Sequence, residues 1–131
     1  MERKIINPWT WQDAFGFVQA NEVKGAQRTL ICSGQTSVDG QGVPVHAGDM
    51  AGQIGQALDN LETVLKASDF KLSDVVRLSY FTTDVDAFVQ AGHAFGPRLA
   101  KAGCRPASTL LGVQRLFHPD IMVEIEAVAM A

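Results

Sequence analysis

Glu124 and Glu126 interrupt an otherwise apolar run, Met122-Val123-Glu124-Ile125-Glu126-Ala127-Val128-Ala129. Side chains alternate between the two faces of a strand, so these carboxylates project together. A carboxylate in a strand core is costly unless something pairs with it or uses it. It could hold a water or an amino group, or act as a general base where burial raises its pKa. The plainer reading is a solvated edge, or an ion pair with Arg77 or Arg115. Ser108 opens a second run poor in polar groups, Arg105-Pro106-Ala107-Ser108-Thr109-Leu110-Leu111-Gly112-Val113, expected to lie beside the strand of Glu124. Ser33 and Gly34 end a third apolar run, Thr29-Leu30-Ile31-Cys32. A backbone N–H after a glycine can approach a ligand closely, although an ordinary strand-to-turn transition reads the same way.

Other reactive side chains carry less. Arg105 stands three positions before Ser108, and in an extended chain that odd offset sends it to the opposite face. This favours a surface arginine unless the chain bends at Pro106. Cys32 reads as a small buried apolar residue, and Cys104 follows a helix C-terminus, where the dipole disfavours a thiolate. His46, His93 and His118 are scattered without ligand spacing, so no metal site is expected. No Gly-x-Ser-x-Gly elbow, phosphate loop or dinucleotide fingerprint occurs, and no cofactor is expected.

These residues need elements to position them. Residues 16–20 could form a short first strand, and Arg28 to Ser33 a second, stopped by Gly34. Asp39-Gly40 is a hairpin turn signal. From Asp49, a plausible N-cap, the period lengthens: Met50, Ile54, Leu58, Leu61 and Leu65 fall on one helical face. Val75 to Thr82 is rich in β-formers, and a second helix is expected over about 84–102, kinked or shortened by Pro97 and stopped by Gly103. Two strands follow, near 108–113 and 122–130. The order hairpin, helix, strand, helix, strand, strand predicts an α+β domain: one mixed sheet with both helices on one face. The other sheet face is too apolar to stay wet, so self-association is expected.

Four segments together resemble the Rid family, also known as YjgF or endoribonuclease L-PSP proteins. They are Ala14-Phe15-Gly16-Phe17-Val18-Gln19, Ile31-Cys32-Ser33-Gly34-Gln35, Gln56-Ala57-Leu58-Asp59-Asn60-Leu61, and Pro106-Ala107 followed by Val123-Glu124-Ile125-Glu126-Ala127. The likeness runs from about Asn7 to Ala129. It implies a chorismate-mutase-like fold, a homotrimer with a central β-barrel, and a small-molecule cleft at each subunit interface. It also implies that Glu124 positions an attacking water and that Ser33 and Gly34 wall the pocket. Ser108 departs from the arginine that grips the substrate carboxylate in the family's deaminases; serine offers one hydrogen bond and no charge. Leu110 replaces a common cysteine, and Phe17 keeps the ring of a common tyrosine without its hydroxyl, so both make the cleft more apolar. Arg115 matches a family arginine outside the pocket.

Composition narrows the function classes. The chain has 131 residues, read as one domain over 1–131, with 47% apolar and 19% charged residues. So low a charged fraction suits a chain that hides surface in an oligomer. The net charge is −3 and no basic cluster is visible, which argues against nucleic acid, including the RNA cleavage in the family's alternative label. No membrane span or apolar signal core is visible, and two cysteines are too few for a disulfide scaffold. A cytoplasmic protein with reduced thiols is expected. Two functions stay open: hydrolysis of reactive enamines or imines, or a related reaction on an altered substrate; and a trimer that binds a metabolite, or steadies another enzyme, without chemistry.

Overall fold

The computed structural model describes residues 1–131. Seven strands are formed: β1 (Glu2–Ile6), β2 (Ala20–Lys24), β3 (Thr29–Ile31), β4 (Gln35–Thr36), β5 (Val75–Thr82), β6 (Ala107–Gly112) and β7 (Val123–Met130). Three α-helices accompany them: α1 (Met50–Ala67), α2 (Val85–Gln90) and α3 (Gly96–Lys101). The main sheet has the order β3-β7-β5-β6, with β4 pairing β7 beyond β3. β6 runs parallel to β5, and β7 antiparallel to it.

The helices lie on one face of this sheet, as the element order predicts. Ile54, Leu58, Leu61 and Leu65 of α1 meet Leu78, Val123, Ile125 and Ala127 of the sheet in one buried cluster. Asp49 caps α1, its carboxylate accepting from the Gly52 N–H at 2.9 Å. Along β7 burial alternates: Val123, Ile125, Ala127 and Ala129 face the helices, while Glu124, Glu126, Val128 and Met130 face the other way. That second face carries no helix and leaves Ile31 79% exposed and Leu111 49% exposed.

Several expectations are corrected. No strand forms over 16–20. Residues Trp11–Phe15 make a 3₁₀ turn closed by Gly16 in the left-handed region (φ 73°), and Val18 makes only an isolated bridge to Ala107. The strand lies at β2 instead, paired with β1, which hydropathy did not reveal because its alternation is mostly charged. The Asp39 turn closes only one bridge, Val38 to Pro44; β3 and β4 both pair with β7 rather than forming a hairpin. The second helix is broken into α2, a 3₁₀ turn (Gly92–Ala94) and α3. Pro97 sits in the first turn of α3, where its missing N–H costs nothing, and the break falls before it. Finally, Ser108 does not lie beside Glu124, because β5 separates β6 from β7.

Candidate functional site

Glu124 is held by an irregularity in the sheet edge. Ile31 opposes Val128 and Gln35 opposes Ile125, so four steps on one side match three on the other. The extra residue makes a bulge over Cys32-Ser33-Gly34, a device that re-aims backbone at functional edges. Gly34 lies directly under the Glu124 side chain. A Cβ there would meet Glu124 Cδ at 2.6 Å and Cγ at 2.7 Å, so only glycine admits this approach. Ser33, the preceding residue, is exposed.

The electrostatics of Glu124 follow from its surroundings. No basic group comes within 4.0 Å of it, so neither Arg77 nor Arg115 pairs with it. Arg77 donates instead to Thr109 Oγ1 at 2.8 Å. Burial raises the Glu124 pKa above the usual carboxylate value, and the like charge of Glu126 on the same face adds to the rise. An unpaired, partly buried carboxylate with a raised pKa can take a proton from water more readily than an ordinary one. Glu126, on the same face, is exposed.

The remaining predicted residues gather elsewhere. Phe17, Ser108 and Leu110 line one cavity of about 1180 Å³. Its walls include Trp11, Tyr80, Phe88 and Phe95, and Arg105 lies in the lining. Tyr80, Phe88 and Phe95 cluster with ring centroids 5.1–5.5 Å apart, Phe88 stacked on Phe95 and Tyr80 tilted against both. Trp11 meets Phe17 edge-on at 5.8 Å. The register explains the grouping. Ser108 and Leu110 pair with Leu78 and Tyr80, which face the helices; Phe81, opposite Glu124, points the other way. Glu124 with Gly34, and Ser108 with Leu110 and Phe17, therefore occupy opposite faces of the sheet within one chain.

Sequence reasoning missed Trp11, Tyr80, Phe88 and Phe95 as cavity walls. For Tyr80 a signal existed: its parity in Val75–Thr82 matches buried Leu78. Phe88 and Phe95 read as a core stripe, and only the broken helix opens a cavity beside them. Arg105, read as a surface residue, is exposed but borders the cavity. The two cysteines are buried; desolvation pushes the Cys104 thiol up to about 12, and Cys32 upward as well, so both are poor nucleophiles.

A family model described as Endoribonuclease L-PSP matches residues 12–131. The chain belongs to the Rid family. This Rid protein is 32% identical over 132 residues to protein DfrA of Myxococcus xanthus, covering 100% of this chain and 98% of that one. It is 32% identical over 101 residues to the 2-iminobutanoate/2-iminopropanoate deaminase of Escherichia coli strain K12, covering 76% of this chain and 77% of the relative. The crystal structure of YyfB from Yersinia pestis, described as a Rid family protein of unknown function, superposes with a TM-score of 0.87 at 32% identity, covering both chains fully. The fold is therefore the expected chorismate-mutase-like one of YjgF-type proteins. No helix is long and apolar enough to cross a membrane.

Proposed function

We propose that this Rid protein hydrolyses a small imine or enamine in a cleft shared between copies of a homotrimer. The observation that carries this reading is the unpaired Glu124 carboxylate packed over Gly34, with its pKa raised by burial. In the reaction, Glu124 takes a proton from water as the water oxygen bonds to the imine carbon. The same carboxyl returns that proton to nitrogen. The carbinolamine hydroxyl then gives its proton, through the same carboxylate, to nitrogen as the carbon–nitrogen bond breaks, releasing ammonia and a carbonyl product. An enamine enters the sequence after protonation at carbon converts it to the imine. The backbone at Ser33 and Gly34 orients the substrate beside Glu124.

Two features support a shared cleft. The Glu124 patch and the aromatic cavity lie on opposite sheet faces, so one substrate can touch both only when a second copy supplies one of them. The face holding Glu124 also exposes Ile31 and Leu111, apolar surface that a trimer would cover. The named activity of the Escherichia coli relative supports the reaction class.

The test is ammonia and keto-acid release from enzymatically generated imines, small and aromatic, with wild type and Glu124→Ala. A loss of about a hundredfold or more in the variant is expected for a general base. Wild-type rates in Glu124→Ala would overturn the reading. A second reading, a trimer that binds without turnover, is favoured by uncharged Ser108 at the position of the family's arginine. Ligand-dependent melting with no ammonia release would establish it.

A further inference from the structure

We propose that Arg105 is the carboxylate clamp of this chain, and that the cavity beside it takes an aromatic or bulky apolar carboxylate. This deepens the proposed function by naming the ligand class of the same cleft, and it rests on that reading only for the fate of the bound molecule. Arg105 borders the cavity with Phe17, Ser108 and Leu110. Its side chain forms no ion pair within 4.0 Å, so its guanidinium has both edges free.

The backbone beneath it, by contrast, is pinned. The Arg105 carbonyl accepts from the Arg3 guanidinium and from Asn21 Nδ2 at 3.1 Å, and Pro106 fixes the next φ. Asn21 also donates to the Val76 carbonyl at 2.8 Å, and Arg3 to Ser73 and Val75. Such a mounting fixes where the Arg105 side chain leaves the backbone, while its guanidinium stays available for a bidentate contact.

The rest of the cavity sets the body of the ligand. Trp11, Phe17, Phe95 and Leu110 offer ring faces and apolar edges over buried Phe88, and the volume of about 1180 Å³ far exceeds what a three-carbon acid needs. Asp13 and His93 are the other titratable groups in the lining besides Tyr80 and the buried Cys104 thiol. Asp13 makes no ion pair with Arg105, so the arginine is not neutralised internally. A single anionic head with an apolar tail matches one free cation at an aromatic wall.

Calorimetric titration tests this with three probes. They are phenylpyruvate, its neutral counterpart phenylacetone, and pyruvate, which keeps the carboxylate without the ring. Wild type is expected to bind phenylpyruvate about tenfold to a hundredfold more tightly than phenylacetone, the range of a charge-assisted pair, and more tightly than pyruvate through burial of the ring. Arg105→Gln should erase the preference for phenylpyruvate over phenylacetone, with an unchanged melting temperature showing that the fold persists. Arg105→Lys should keep part of it. Equal binding of phenylpyruvate and phenylacetone by wild type, an undiminished preference in Arg105→Gln, or no binding of phenylpyruvate would each overturn the proposal. Because binding is read without turnover, an inactive but binding protein would refute the hydrolase reading and leave this one standing.

Discussion

Glu124 meets Gly34 at a distance that makes each residue a probe of the other. Gly34→Ala is expected to drive the Glu124 side chain from its rotamer, costing about 1 kcal/mol in stability but far more in turnover. In a Glu124→Ala background the same substitution should cost little, so a double-mutant cycle by thermal melting exposes the coupling. The raised pKa of Glu124 gives a second expectation. A carboxyl whose folded pKa lies above its unfolded value favours folding fully only below the unfolded pKa. That contribution is lost as pH rises through the folded value. Glu124→Gln should therefore melt above wild type at neutral pH, and the gap should close as pH falls through roughly 4, the ordinary glutamate range. A gap that widens toward acid would show that Glu124 is stabilised as the anion. At this scale the sequence was informative: a glutamate in an apolar strand announced its own cost. The lining role of Arg105 was not legible, because parity arguments hold only along a strand and Arg105 precedes β6.

Elements decide where these residues stand, and buried polar side chains lock the elements. Gln53 of α1 is fully buried. It donates to the Asp120 carbonyl at 2.7 Å and accepts from the Met122 N–H at 2.8 Å, fixing the chain just before β7. Gln53→Leu removes the amide and leaves the His46 and Asp120 carbonyls and the Met122 N–H without it, so a loss of about 2 kcal/mol or more is expected in chemical denaturation. Lost turnover should accompany it, since Glu124 lies two residues beyond Met122. Asp49→Ala, by comparison, should cost about 1 kcal/mol through the lost cap of α1 and leave ligand binding unchanged. α1, β5 and β7 were readable almost to their ends because hydrophobic period and capping agreed. The second helix was not, because its apolar stripe continues through residues that the backbone breaks at Ala91–Phe95.

The whole molecule presents a sheet with one face packed and the other bare. If that bare face is the trimer contact, Ile31→Arg or Leu111→Arg should yield monomer in sedimentation, while wild type sediments at three times the chain mass. Turnover should fall with assembly, since the proposed cleft draws on two copies. Wild type sedimenting as a monomer would remove both the trimer and the shared cleft.

Hydrophobic period, a cap, and an out-of-place carboxylate fixed α1, the two long strands and Glu124, because each is a local property of a few neighbouring residues. The family likeness follows for the same reason, since its motifs are short contiguous runs. Three features were decided only in three dimensions. β5 runs between β6 and β7; a one-residue bulge brings Gly34 under Glu124; and a broken helix opens an aromatic cavity bordered by Arg105. Each depends on contacts between segments distant in the chain, whose register and spacing no local pattern encodes.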